Sequence, residues 1–239
     1  MSSGLWYALA AALGNVAGAL AVTRRATASL RVIEHFLAFG AGFMLAVAFV
    51  EVLPAAFAAS GAWAPALVLV GYLLVHISQH TLTPHFHFGE ETHLVQAAAG
   101  PTALVGLLTH TFFDGVAIAS AFLVNHRLGV LVFLAILLHK LPEGVTISSL
   151  MLASGRPRKD AVRAAALLGV ATLVGVLVTD RVPILLRHGL ALSAGVTIYV
   201  GASNLVPEIQ GKRDLRLAGS FFLGAGVFYL TKLMLDRIS

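Results

Sequence analysis

Residues 107–123 read LLTHTFFDGVAIASAFL, and residues 136–152 read ILLHKLPEGVTISSLML. The two stretches align without a gap at an offset of 29 residues, so that a His-x-x-x-Asp matches a His-x-x-x-Glu. A transmembrane helix needs about 20 predominantly apolar residues, and both stretches extend into runs of that length. Ionisable side chains within such helices are rare and usually functional. The sequence therefore predicts membrane helices that carry a polar site.

The composition of the whole chain agrees with a membrane protein. Of 239 residues, 58% are hydrophobic and 11% are charged, whereas soluble globular chains have roughly 25% charged residues. A soluble chain of this length could not bury so much apolar surface. The net charge of +5 lies in the connecting segments, which indicates membrane topology rather than nucleic-acid binding.

The absence of cysteine limits the chemistry of any metal site. It excludes disulfides and thiolate ligands, and it leaves His, carboxylate, amide, hydroxyl and water as ligands. These ligands suit zinc, manganese, iron or other borderline and hard divalent ions.

The hydrophobicity pattern predicts an all-α polytopic membrane protein with eight helices in a single transmembrane domain, residues 1–239. The first stretch has no basic region before it, so we expect an uncleaved helix rather than a signal peptide. The predicted helices are near 4–22, 32–55, 62–80, 101–124, 128–153, 160–179, 182–207 and 215–236.

The distribution of Lys and Arg predicts that both termini lie outside. With that orientation, the inner connections 23–31, 81–100, 154–163 and 208–216 hold ten basic residues, and the outer side holds five. The inner ten are Arg24, Arg25, Arg31, Arg156, Arg158, Lys159, Arg163, Lys212, Arg213 and Arg216; the outer five are Arg127, Arg181, Arg187, Lys232 and Arg237.

The same orientation places a His-rich tract, residues 76–93, at the inner face, where the connection 81–100 is predicted to be cytosolic. The tract contains His76, His80, His85, His87 and His93, together with Glu90 and Glu91. Such a tract can sequester or release a metal ion near neutral pH. A polar connector with no metal contact is the alternative.

The aligned pairs His110 with Asp114 and His139 with Glu143 are predicted to meet at one depth. Each pair lies near the middle of its predicted helix, and the two helices run in opposite directions. Side chains four residues apart share one helix face, so each helix offers an imidazole and a carboxylate to the same point. Two adjacent carboxylates would repel each other unless a cation lies between them. The alternative is a set of interhelical hydrogen bonds or His–carboxylate ion pairs that only stabilises the bundle.

Two neighbours of the second pair are unusual. Lys140 is an ammonium that cannot bind a cation, so it argues against a second metal ion; it either substitutes for a metal ion in the empty site or extends away from it. Pro142 removes an amide donor toward the Leu138 carbonyl and predicts a kink with a freed carbonyl.

A second alignment, at an offset of 153 residues, matches Ala41, Gly42 and Pro54 with Ala194, Gly195 and Pro207. It sets Glu51 opposite Asn204, and both prolines are expected at helix ends. Corresponding polar interruptions in two halves of a transporter point to its binding site. We therefore expect six further residues to line the pathway or support the ligands: Glu51, Thr111, Lys140, Asn204, Ser120 and Ser149.

The two aligned motifs, His110-Thr-Phe-Phe-Asp114-Gly115 and His139-Lys-Leu-Pro142-Glu143-Gly144, resemble the paired signature of the ZIP (Zrt-/Irt-like) metal transporters. The stretches AGFMLAVAFVEVLP and AGVTIYVGASNLVPE, in the second and seventh segments, are also similar to that family. The resemblance implies eight helices in a 3+2+3 arrangement with an inverted pseudo-repeat, and the fourth and fifth helices at the core. It also implies that His110, Asp114, His139 and Glu143 are the metal ligands.

Two departures from the family pattern bear on the number of ions. Many members have Asn where this chain has Thr111, and many two-metal members have an acid or amide where it has Lys140. The sixth segment, 160–179, also has no acid between Asp160 at its start and Asp180. We therefore expect one metal ion at the site rather than two.

The expected function is the movement of a divalent metal ion, zinc or otherwise iron, manganese or cadmium, into the cytosol. The ion is the substrate, and no enzyme activity, cofactor or nucleic-acid partner is expected. The expected setting is the lipid bilayer of the plasma (inner) membrane, with a homodimer as a further expectation. A membrane-embedded zinc hydrolase and a proton-coupled small-solute carrier are the alternatives, although the chain has no HExxH pair.

Overall fold

The computed structural model describes residues 3–24, 30–81, 99–207 and 214–238, and these residues form long helices with no strand among them. Most helices begin and end within a few residues of the predicted segments, because long apolar runs fix them. The helices are α1 (Ser3–Thr23), α2 (Leu30–Val47), α3 (Leu53–Ser60), α4 (Ala64–Thr81), α5 (Ala99–Val124), α6 (His126–Ala153), α7 (Arg158–Thr179), α8 (Pro183–Tyr199) and α9 (Leu215–Ile238).

The expectation that Pro54 ends a helix is wrong. Helix α2 passes through a π-helical turn, Ala48–Val52, directly into α3. Proline has no amide to donate to the carbonyl four residues earlier, and a wider turn next to it absorbs the mismatch without ending the helix. The helix ends at Ser60 instead, where Gly61 has a φ of 54° that favours glycine.

The second alignment of the sequence corresponds to a shared local structure. Helix α8 continues into a π-helical turn, Val200–Leu205, which precedes Pro207 as the first π-helical turn precedes Pro54. The matched residues Glu51 and Asn204 both lie in these turns. A π-helical turn in a helix often marks a functional position.

Seven stretches of the described residues are long and apolar enough to cross a bilayer. One of them, Glu34–Gln79, is 46 residues long and includes the turn at Gly61. Both tryptophans of the chain, Trp6 and Trp63, are exposed near helix ends, as expected for aromatic anchors at a membrane surface. The predicted all-helical membrane class is confirmed.

The helices form two groups that contact each other. Helices α1, α5, α6 and α7 pack together, while α2 packs on α9 and α4 packs on α8. The groups meet mainly where α5 contacts α8 and where α2 contacts α6. The aligned motifs on α5 and α6 are therefore neighbours inside the first group.

Glycines allow α1 and α6 to approach closely. A side chain at Gly18 would overlap the carbonyl oxygen of Leu141, and one at Gly144 would overlap the backbone of Asn15. Small residues at such contacts are typical of membrane helices, whose backbones can then pack directly. The contact places the middle of α1 against the turn of α6 that carries Glu143.

Candidate metal centre

Four side chains from α5 and α6 come together at the middle of these helices. His110, Asp114, His139 and Glu143 each offer one nitrogen or oxygen atom, and these four atoms all lie within 4.8 Å of one another. Each residue is at most 7% exposed. The spacing of four residues gives each helix two ligands on one face, and the packing of α5 on α6 brings the two faces together.

The ring of His139 is oriented for metal binding. Its Nδ1 lies 3.1 Å from the carbonyl oxygen of Ala135, which can only accept a hydrogen bond. A neutral ring therefore carries its proton on Nδ1 and turns the lone pair of Nε2 into the site. This arrangement, with the outer nitrogen bonded to a backbone carbonyl, is usual for metal-bound histidine.

The lone pair of that Nε2 faces the Oδ2 atom of Asp114 at 3.3 Å. Two acceptors at this distance repel each other unless a cation or a proton lies between them. On the other side of the site, Nε2 of His110 lies 3.3 Å from Oε1 of Glu143, and Nδ1 of His110 has no hydrogen-bond partner among the described residues. A neutral ring can therefore carry its proton on Nε2 and donate it to Glu143, and a bound metal ion would take the place of this proton. A single divalent ion between the two pairs would satisfy all four atoms.

Thr111 supports Glu143 from the neighbouring helix. Its Oγ1 lies 2.8 Å from Oε1 of Glu143 and 2.7 Å from the carbonyl oxygen of Leu107. Thr111 is fully buried, and its single hydroxyl proton can be donated to either of these acceptors. When it is donated to Glu143 it orients the carboxylate, a role expected of groups behind a metal ligand.

Lys140 is fully buried between the two carboxylates. Its Nζ lies 2.7 Å from Oδ2 of Asp114 and 2.7 Å from Oε2 of Glu143. With both imidazoles neutral, the cluster of the four candidate ligands and Lys140 carries one net negative charge. In the structure the ammonium thus performs the charge balance that a metal ion would otherwise provide, which is one of the two roles that the sequence left open.

Glu51 is not part of this cluster. Its Oε1 lies 2.8 Å from a guanidinium nitrogen of Arg127 and also bonds Nζ of Lys232. Arg127 in turn pairs with Asp236 at 2.5 Å. These contacts join the π-helical turn between α2 and α3, the start of α6 and the end of α9.

The remaining predicted pathway residues differ in their surroundings. Ser120 is buried where α5 meets α8, and its Oγ has no hydrogen-bond partner among the described residues. Its repeat partner Ser149 is exposed, so the sequence alignment does not extend to a shared environment. Asn204 is half-buried in its π-helical turn.

Only part of the His-rich tract lies within the described residues. His76 is exposed on α4, with its ring centroid 5.8 Å from that of Tyr199, and His80 lies in the last turns of the same helix. His85, His87 and His93 fall outside the described residues.

Sequence reasoning missed Asn15, an amide in the middle of α1. Its side chain is fully buried, and neither Oδ1 nor Nδ2 has a hydrogen-bond partner among the described residues. The available signal was a lone amide between Gly14 and Gly18 in an otherwise apolar segment.

Comparison with known proteins adds a family to this geometry. A sequence model of the family described as ZIP zinc transporter matches residues 89–232, more than half of the chain. Similar curated proteins include zinc transporter ZIP9-B of Xenopus laevis, 27% identical over 169 residues, which are 63% of this chain and 56% of that protein. The zinc transporter ZIP13 homolog of Drosophila melanogaster is 42% identical over 123 residues, 48% of this chain and 35% of that protein.

Human zinc transporter SLC39A7 is 31% identical over 126 residues, 46% of this chain and 26% of that protein. The chain spans about half the length, or less, of these curated relatives. The family model covers both aligned motifs and the helices that carry the buried cluster. On this match, which confirms the resemblance of the motifs, the chain is an integral membrane protein that belongs to the ZIP zinc transporter family.

Proposed function

We propose that the chain carries a divalent metal ion, zinc in view of the relatives' names, across a membrane through one site. The ligands are His110, Asp114, His139 and Glu143. The observation that carries this proposal is the buried convergence of two imidazoles and two carboxylates within 4.8 Å. Two nitrogen and two oxygen ligands form a set that zinc accepts in tetrahedral geometry, and iron, manganese and cadmium remain competing substrates.

A single ion is proposed because Lys140 places a buried positive charge beside the site. A unit charge and a divalent ion 4 Å apart repel by about 8 kcal/mol at an effective dielectric constant of 20. The site has two carboxylates to offset this repulsion for one ion, and no third carboxylate near it among the described residues. A second ion beside the ammonium would therefore be strongly disfavoured.

The proposed architecture is a single domain of eight helices in a 3+2+3 order. The stretch Glu34–Gln79 counts as two crossings because its 46 residues exceed one bilayer and turn at Gly61. His110 and His139 lie near the middle of their helices, which supports a site near the bilayer midplane. The inverted pseudo-repeat is supported by the two matching π-helical turns.

The proposed direction is from outside to the cytosol, with both termini outside and the His-rich tract at the inner exit. The support is the excess of Lys and Arg in the inner connections. The plasma (inner) membrane and a homodimer complete the proposal.

Zinc uptake into proteoliposomes tests this function. The wild type should load zinc, and Glu143→Gln should reduce the initial rate at least tenfold, because it removes one charged ligand without changing the size of the side chain. Asp160→Asn is the matched control, since that carboxylate lies at the start of α7 in an exposed pair with Arg163. Equal uptake by wild type and Glu143→Gln would refute the site and favour a small-solute carrier. Lipid or peptide turnover without uptake would favour a hydrolase.

A further inference from the structure

The ammonium of Lys140 contacts both carboxylates that the proposed metal ion needs. It lies 2.7 Å from one oxygen of Asp114 and 2.7 Å from one oxygen of Glu143. Zinc binds carboxylate oxygens at about 2.0–2.2 Å, so an ion held by Asp114 and Glu143 competes with the ammonium for the same two carboxylates. The two positive charges would also repel each other there, and we therefore expect the ammonium to leave the carboxylates when the ion enters.

The displaced ammonium has to find a partner inside the protein, because Lys140 is fully buried. Lys140 lies on the side of α6 that packs against α1. A Cβ atom built on Gly14 would lie only 3.2 Å from the Cβ atom of Lys140. The turn of α1 that contains Gly14 and the residue after it therefore lies beside Lys140.

That next residue is Asn15, which lies against the following turn of α6. Its backbone contacts Gly144, one helical turn beyond Lys140. Its side chain is fully buried, and both amide atoms have no partner among the described residues. Buried polar groups are nearly always bonded in native proteins, so an unpartnered amide requires an explanation.

We propose that Asn15 is a further residue of the transport site, whose side-chain oxygen receives the ammonium of Lys140 when a metal ion binds. The amide oxygen has two lone pairs, and the lysine side chain has three donors on a flexible four-carbon stem. The ammonium keeps its charge throughout and exchanges two carboxylate partners for an amide. Asn15 thus stabilises the metal-bound state and leaves the empty state unaffected.

This inference rests on the proposed function, and a double-mutant cycle tests it separately. Zinc affinity is measured by calorimetry on the full chain in detergent for the wild type, Asn15→Leu, Lys140→Met and the double variant. Asn15→Leu should weaken zinc binding about tenfold while Lys140 is present. In the Lys140→Met background the same substitution should change the affinity less than twofold, because no ammonium has to be received.

Three results would overturn the inference. One is an unchanged affinity in Asn15→Leu, and another is an equal loss in both backgrounds, which would mean that Asn15 acts on helix packing or through a water on the metal. Asn15→Asp keeps an oxygen acceptor at this position and covers the case in which Asn15→Leu does not fold. It should bind zinc at least as tightly as the wild type, and a tenfold loss would be the third contrary result. Failure of the proposed function looks different: the wild type would bind no zinc, or Asp114→Asn would bind it equally well.

Discussion

Replacement of Lys140 by glutamate is expected to change the number of metal ions at the site from one to two. In the structure the ammonium lies 2.7 Å from one oxygen of each carboxylate and places a positive charge beside the site. Two metal ions that share carboxylates usually lie about 3.5–4 Å apart. A glutamate at this position would supply a third carboxylate at the place where the second ion needs one.

The effect of the substitution on the energy of the second metal ion follows from Coulomb's law. Two divalent ions 4 Å apart repel by about 16 kcal/mol at an effective dielectric constant of 20. At the same distance, a unit positive charge adds about 8 kcal/mol of repulsion to the second ion, and a unit negative charge subtracts about as much. The substitution thus changes the electrostatic energy of the second ion by about 16 kcal/mol, which is comparable to the repulsion between the two ions.

Native mass spectrometry during a zinc titration measures the number of bound ions. Lys140→Glu should reach two ions per chain, whereas the wild type and Lys140→Met should stop at one. Lys140→Met is the matched control because it removes the positive charge without adding a ligand. The variants should be purified with zinc present, since three neighbouring carboxylates would destabilise the empty protein. Two ions in the wild type, or one ion in Lys140→Glu, would refute the charge argument.

Two further substitutions test Thr111 beside the metal site and Arg127 in the separate set of contacts around Glu51. Thr111→Val should weaken zinc binding about 10–100-fold, because Glu143 loses the hydroxyl that orients it, and Thr111→Ser should restore most of the affinity in the same calorimetric assay. Arg127→Ala should lower the free energy of unfolding by about 1.5–3 kcal/mol, since it breaks the partly buried pair with Glu51. The control Arg163→Ala removes an exposed pair and should change that free energy by less than about 0.5 kcal/mol. Thermal unfolding in detergent compares the two variants, and equal stability of both would contradict the expectation for Arg127.

The convergence of the four candidate ligands could be predicted from the sequence because it depends on local rules. His110 and Asp114 share a helix face by their spacing, and so do His139 and Glu143. The gapless alignment put both pairs near the middle of antiparallel helices, so one packing contact between α5 and α6 was enough to bring them together.

The partners of Glu51 could not be predicted in the same way. Arg127 and Lys232 are 76 and 181 residues away in the sequence, and only the packing of three helix ends brings them to one carboxylate. The sequence instead grouped Glu51 with the metal site because its repeat partner is polar. The shared feature proved to be a π-helical turn that ends two residues before a proline.

Asn15 shows a second limit of sequence reasoning. A lone amide in an apolar helix reads as a helix-packing residue, since such side chains often bond across membrane helices. Only the structure shows that this amide is fully buried and has no partner among the described residues, next to the turn that follows Lys140. An unpartnered group is visible only once every neighbour is known.

Among the described residues, one polar cluster is formed by the four candidate ligands with Lys140 and another by Arg127 with Glu51 and Asp236. The first is the proposed metal site, and of the two only the second connects the two groups of helices. All contacts of the four candidate ligands with one another and with Lys140 lie within the group that contains α5 and α6. A rigid movement of this group against α2 and α9 would leave them intact, whereas the contacts of Arg127 with Glu51 and Asp236 join the two groups and would have to break. Arg127→Ala should therefore leave the equilibrium affinity for zinc within about twofold of the wild type while it changes the uptake rate. A tenfold loss of affinity in this variant would show that the two clusters are not independent.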